Sequence, residues 1–305
     1  MIKRTIEISR EPAHVAVRLE QLLLTRNGDT VASIPCEDIG VLVVDHPAAT
    51  YTHGALAQLA RSSAVLVVCG RDHLPAAVLL PLADHSEVVW RLWDQLRVRK
   101  PLRKQLWKQL VRAKIRAQAR NLPPDCPAQS KLLDYSRFVR SGDPTNIEAQ
   151  AARVYWDNWL PEEPFSRHAD DHALNPLLNY GYAIVRAAIA RAIVAAGLLP
   201  TLGLSHRNRG NAFCLADDLI EPLRPLVDLR ARELYRRGCV ELTQEAKAHL
   251  LEILAAPVRM GKKTGPLMVN LHRMVASLLA CYRGEASLLE MPEACSSTGT
   301  AACGS

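Results

Sequence analysis

The stretch Leu174–Leu199, LNPLLNYGYAIVRAAIARAIVAAGLL, restricts the possible folds of this chain more than any other. It is long, apolar and helical in pattern, and alanines crowd its second half, where they allow close helix packing. Its most apolar part, Ala183–Leu199, is broken by Arg186 and Arg191, so it reads as a buried helix and not a membrane span. A helix that is apolar on nearly every side needs other elements around it. A large helical domain is therefore expected. Asn175, Asn179, Tyr182 and Arg186 run along one face of it. They are more polar than burial requires. Either they bond to the loop that follows, or they orient the ligands of a site.

The stretch Thr201–Asp228 carries the chemistry. A glycine-marked loop holds one histidine, His206, and leads into a run where Asp217, Asp218 and Glu221 alternate with leucines. Residues three or four apart share a helix face, so Asp218 and Asp217 each pair with Glu221. Acids clustered beside Leu, Ile and Phe are costly without a positive charge between them. A divalent cation meets that need, with His206 as a third ligand. The competing reading is a solvated acidic face, with Arg207 and Arg224 as ion-pair partners and His206 as an ordinary loop residue. A further acid, Glu148, lies upstream in Thr145–Trp156. Thr145 followed three residues later by Glu148 has capping-box spacing, so Glu148 is either a helix-start residue or part of the site.

NIEAQAARVYW, LNPLLNYGYAIVRAAIARAIVAAGLLPTLGLSHR and LADDLIEPLRPLVD, in this order and spacing, resemble the CRISPR-associated adaptation integrases. These are the universal metal-dependent DNA endonucleases of spacer acquisition, and the likeness is to their type II branch. It runs from the first residues to about residue 285. The resemblance implies that Glu148, His206 and Glu221 hold Mg²⁺ or Mn²⁺, with Asp218 as an auxiliary acid. The choice of Asp218 over Asp217 stays open. It implies double-stranded DNA, prespacer and repeat, as substrate, and a 3′-hydroxyl as the attacking group. It also implies homodimers built by an N-terminal β-domain, two of them bridged by a small CRISPR-associated partner nuclease. The type II effector nuclease is a further partner. Its tyrosine-bearing central helix lines the site, which favours Asn175 and Asn179 as orienting residues.

The 305 residues suit two domains, and nearly half of them are hydrophobic, which excludes disorder for most of the chain. The expected fold is α+β. A small N-terminal β-sandwich spans 1–84, a larger all-α catalytic domain spans 85–285, and 286–305 form a disordered tail. Strands are expected at Thr5–Ser9, Val15–Leu24, Thr30–Ile34, Ile39–Val44, Val65–Cys69 and Ala77–Pro81, with a helix at His53–Arg61. This half carries no cluster of acids, histidines and nucleophiles, so packing or dimerisation is its default role. The eight cysteines include no CxxC pair and are widely scattered, which suits a reducing cytoplasm. The N-terminal residues lack a signal peptide's apolar stretch.

The formal charge of +7 points to a polyanionic partner. One helix beginning at Lys100–Pro101 localises the surplus. Leu102, Leu106 and Leu110 form one apolar stripe, and Trp107, Val111 and Ile115 another. Between them Lys104, Lys108, Arg112, Arg116 and Arg120 recur at every fourth position, with no acid between Arg97 and Arg120. Like charges at that spacing destabilise a helix by about 0.2–0.5 kcal/mol per pair. Phosphate contact with a DNA backbone, driven by counterion release, accounts for the row better than a solvated face. Arg186 belongs to the same DNA-binding set. Two loops are ambiguous. Pro161–His172 holds Arg167, His168, Asp170, Asp171 and His172 and reads as a polar loop ahead of a second metal site. Val258–Thr264, VRMGKKT, reads as a basic glycine loop without a full nucleotide-binding pattern.

Overall fold

A computed structural model describes residues 3–81, 85–163, 165–167 and 172–295. The N-terminal part contains β1 (Arg4–Ile8), β2 (His14–Arg18), β3 (Gln21–Arg26), β4 (Asp29–Pro35), β5 (Ile39–Val44), β6 (Thr50–Tyr51), β7 (Val65–Cys69) and β8 (Pro75–Leu79). Helix α1 (His53–Arg61) precedes β7, and the Thr52 hydroxyl caps it by accepting from the Ala55 N–H at 3.1 Å. The strands form two four-stranded sheets, ordered β1-β5-β7-β8 and β4-β3-β2-β6. In the first sheet β1, β5 and β7 are parallel, and β8 is antiparallel to β7.

β5 explains how this part joins the rest. All six of its residues are buried, as expected of a strand covered on both faces. Leu42 and Val44 pack with Ile8, Val15, Leu22 and Leu59 between the two sheets. Val41 and Val43 point the other way, with Val65 and Val67, into the core of the helical part. The first sheet is thus a middle layer, tied to the helices through half of its own side chains.

The helical part contains α2 (Val88–Leu96), α3 (Lys100–Asn121), α4 (Pro127–Phe138), α5 (Ile147–Trp159), α6 (Leu174–Ala195), α7 (Cys214–Ile220), α8 (Arg224–Arg236), α9 (Gln244–Leu251) and α10 (Leu267–Arg283). α6 is the central helix and packs against α7, α8, α9 and α10, as well as β7 and β8. It is long and apolar enough to cross a membrane, yet 83% of its most apolar window is buried inside the fold. Arg191 is tolerated there because it donates to the Ser63 carbonyl and, at 2.9 Å, to His272 Nε2. The fold is α+β, with mixed sheets at the N-terminus and a largely helical remainder.

Four local expectations change. Val15–Leu24 is not one strand but the hairpin β2–β3, turning at Leu19 and Glu20 with φ of 49° and 60°. Neither residue is one that usually announces such a turn. Val258–Thr264 is not a loop. It belongs to a hairpin of β9 (Pro257–Met260) and β10 (Lys263–Pro266), in which Val258 and Met260 are buried and alternate with exposed neighbours. Residues 286–295 are ordered against the core. Leu289 is buried, its N–H donates to Gln109 Oε1 at 2.8 Å, and β11 (Glu293–Ala294) adds to β9. The helical part therefore also carries a small β10-β9-β11 sheet. The rest of the expected tail, 296–305, lies outside the described residues, as do His168, Asp170 and Asp171.

Candidate active site

Glu148 sits in the first turn of α5. The cap is not Thr145. Asn146 enters the helix with φ of 52°, and Asp143 does the capping, accepting from the Ile147 and Glu148 N–H groups at 2.9 Å each. The Glu148 carboxylate is left to reach across to α3.

There it meets Lys114, which the sequence analysis passed over. Lys114 Nζ lies 2.6 Å from Glu148 Oε1 and 2.5 Å from Glu221 Oε2. Glu221 starts a 3-10 turn between α7 and α8, where Pro222 interrupts the helix, and is 4% exposed. Its other oxygen accepts from Arg224 Nε at 2.8 Å. Burial by itself would raise the Glu221 pKa, but Lys114 and then Arg224 outweigh it and hold the carboxyl below the usual range. Burial would likewise lower the Lys114 pKa, and Glu221 and Glu148 together turn it upward. Glu221 Oε2 is buried and faces the Lys114 ammonium. The sequence did hold a signal. The stripe Leu102, Leu106, Leu110 continues in steps of four to Lys114 and Gln118, and Gln118 is 2% exposed.

His206 belongs to a loop gripped by Asp218. This carboxylate is wholly buried and accepts from the N–H groups of Leu204, Ser205 and His206, and from the ring N–H at Nδ1 of His206 at 2.7 Å. The bond from Asp218 raises the His206 pKa, against a lowering by burial. Trp107 meets the ring edge-on, at 5.7 Å between centroids. Gly203 makes the loop possible, since a Cβ there would stand 2.5 Å from the His206 carbonyl oxygen and 2.8 Å from Asp218 Oδ2. Asp217 is engaged elsewhere, accepting from Asn211 Nδ2 at 2.5 Å and lying 3.7 Å from Arg186 Nη1.

Asn175 and Asn179 face the residues that precede α6. They accept from Arg167, Asn175 at 2.7 Å, and Arg167 lines a cavity together with Glu221. Arg167 and Arg224 both lie over the Tyr182 ring, at 5.5 and 4.6 Å. A cavity of about 220 Å³ opens here, lined by Lys114, Glu221, Arg224, Arg167, Tyr182 and Trp156. Arg186 faces the Phe213 ring at 5.1 Å. The basic row on α3 divides. Lys104, Lys108 and Arg116 make no ion pair among the described residues, whereas Arg112 donates to the Arg137 carbonyl and Arg120 faces Glu293 at 3.7 Å.

Among the described residues no three His, Cys, Asp or Glu side chains surround one point closely enough to cage a metal. Glu148 and Glu221 nevertheless fit a cation. They already face one, the Lys114 ammonium, with one carboxylate oxygen each. His206, whose pKa the Glu221 charge also raises, has Nδ1 committed to Asp218, which leaves Nε2 as its free donor atom.

Residues 6–252 match the protein family described as CRISPR associated protein Cas1. The chain is 38% identical over 284 residues to the CRISPR-associated endonuclease Cas1 of Neisseria meningitidis serogroup C, covering 92% of each chain. Among solved structures it resembles a casposase bound to integration product, with a TM-score of 0.75, 17% identity, and coverage of 94% of this chain and 92% of that one. It also resembles a Cas6-RT-Cas1--Cas2 complex, with a TM-score of 0.76, 16% identity, and coverage of 93% of this chain and 35% of that one. At these identities the structural likenesses speak for the fold.

Proposed function

The chain belongs to the Cas1 family of CRISPR-associated proteins, and from that premise we propose that it is a metal-dependent DNA endonuclease and integrase that inserts spacer DNA into a repeat array. One observation carries the reading most. Two acids from separate helices, Glu148 and Glu221, converge on a single cation in a fold shared with a casposase bound to integration product.

In the proposed reaction a DNA 3′-oxygen bonds to the phosphorus of a repeat-border phosphodiester. The bond from that phosphorus to its own 3′-oxygen breaks, and the departing oxygen takes up a proton. One ester bond replaces another, so no energy-rich cofactor is needed. Glu148, Glu221 and His206 would hold Mg²⁺ or Mn²⁺, which supplies charge neutralisation and in-line alignment. Arg224 fixes Glu221, and Asp218 fixes the tautomer and direction of the His206 ring, leaving Nε2 for the ligand role. Lys104, Lys108 and Arg116 on α3 would track duplex phosphates.

The proposed assembly comprises homodimers bridged by a small partner, acting in the cytoplasm on double-stranded prespacer and repeat DNA; a solved Cas6-RT-Cas1--Cas2 complex shares the fold and joins Cas1 to Cas2. A second reading uses the same residues with water as attacker on branched DNA, and the name endonuclease borne by the meningococcal relative favours keeping it.

The test incubates purified protein with a short duplex, a repeat-bearing plasmid and Mn²⁺. Integration yields covalently joined strands, hydrolysis yields nicked ends, and EDTA abolishes either. Glu148→Ala and His206→Ala should abolish joining while DNA binding stays near normal. Full joining by either variant, or in EDTA, overturns the proposal.

A further inference from the structure

We propose that Lys114 is a built-in counter-ion: in the metal-free chain its ammonium holds Glu148 and Glu221 together, and a divalent cation enters only by displacing it. The inference rests on the reading of Glu148 and Glu221 as cation ligands. Lys114 lies on the buried side of α3, one turn beyond Leu110, with its side chain 11% exposed. The two carboxyl groups it joins are 22% and 5% exposed. Acids this close and this buried repel unless a cation stands between them. The chain itself provides that cation, from α3, at contact distance to both acids.

Charge balance makes the exchange a swap. Two carboxylates, Lys114 and Arg224 together are neutral. A dication added with Lys114 still in place would leave a surplus of two positive charges in a buried site, which is unfavourable. A dication in place of Lys114 leaves a surplus of one. A single phosphodiester of the substrate cancels it. The lysine stem has four carbons and rotates freely, so the ammonium leaves without moving α3.

Lys114 is therefore a positioning residue, and its signature is inverse to that of a ligand: removing it strengthens metal binding. Mn²⁺ binding to the full chain without DNA is measured by isothermal titration calorimetry, alongside thermal melts with EDTA or Mn²⁺. Lys114→Met and Lys114→Gln should bind Mn²⁺ at least about tenfold more tightly than the wild type. They should melt lower in EDTA and gain more on adding Mn²⁺. Lys114→Arg keeps a cation and should stay within about threefold of wild-type affinity. Unchanged or weaker Mn²⁺ binding by both neutral variants, with Glu148→Gln abolishing it, overturns the counter-ion role and leaves the metal reading standing. Wild-type Mn²⁺ affinity in Glu148→Gln overturns the metal reading itself.

Discussion

Asp218 holds His206 twice, by its backbone N–H at 3.1 Å and by its ring Nδ1 at 2.7 Å. One buried carboxylate thus sets both where the loop runs and which ring nitrogen is left for chemistry. Asp218→Asn cannot accept from the ring and all three amides at once. Strand joining and Mn²⁺ affinity should each fall about 10–100-fold, as for other partners that orient a ligating histidine. Asp218→Ala also strands buried amides and should lower stability by at least about 2 kcal/mol in urea. A variant with wild-type joining would reduce Asp218 to a loop staple.

Gly203 is required by the same loop. An added Cβ would lie 2.5 Å from the His206 carbonyl oxygen, which is backbone and cannot swing aside. Gly203→Ala should displace His206 and reduce joining at least about tenfold, because misplacement of a reacting group by about an ångström is that costly. DNA binding, measured by filter retention, should be unaffected.

The basic row predicts a salt dependence. Lys104, Lys108 and Arg116 make no ion pair among the described residues, so each is available to a phosphate. Changing all three to glutamine should flatten the slope of log K against log salt by about 2–3 for duplex DNA. Arg112 already serves the Arg137 carbonyl, and Arg112→Gln should change the slope less. Equal effects would show that the whole row contacts DNA.

Asp228 predicts a pH dependence. It is 1% exposed and accepts from Tyr155 Oη at 3.0 Å and from Tyr182 Oη. Burial raises its pKa from 3.8 to about 6, with the two tyrosine hydroxyls, Arg224 and Lys114 pulling the other way. A raised acid keeps its proton in the folded chain longer than in the unfolded one. Stability from this group is therefore fullest below pH 4 and is lost as pH rises to about 6. Asp228→Asn removes the effect. Urea titrations should show the variant gaining on the wild type by on the order of 2–3 kcal/mol between those limits. A constant difference across that range would contradict the assignment.

Much of this was legible in periodicity. His53–Arg61 and the start of α6 follow directly from apolar spacing. The run of Asp217, Asp218 and Glu221 was legible as a helix-spaced acidic cluster, but the fold gives the three carboxylates different partners: Asn211, the His206 loop and Lys114. The misses share a different cause. Asp143 displaces Thr145 as the cap of α5 because the entry angle at Asn146 decides which side chain can reach the amides. Arg167 reaches Asn175 and Asn179 from outside α6, a meeting that no spacing predicts.

The sequence by itself determined most of the helices and strands, the β2–β3 and β9–β10 hairpins and β11 excepted, and that acids and one histidine lie close together in the chain near residue 220. Those are local matters, settled by repeat length and side-chain polarity. Which cation faces which acid was decided only in three dimensions. Lys114 lies 34 residues from Glu148 and on a different helix, and the two meet because α3, α5 and the turn at Glu221 pack together. An ion pair depends on a few ångströms between side-chain tips, and those distances belong to the packing of distant elements.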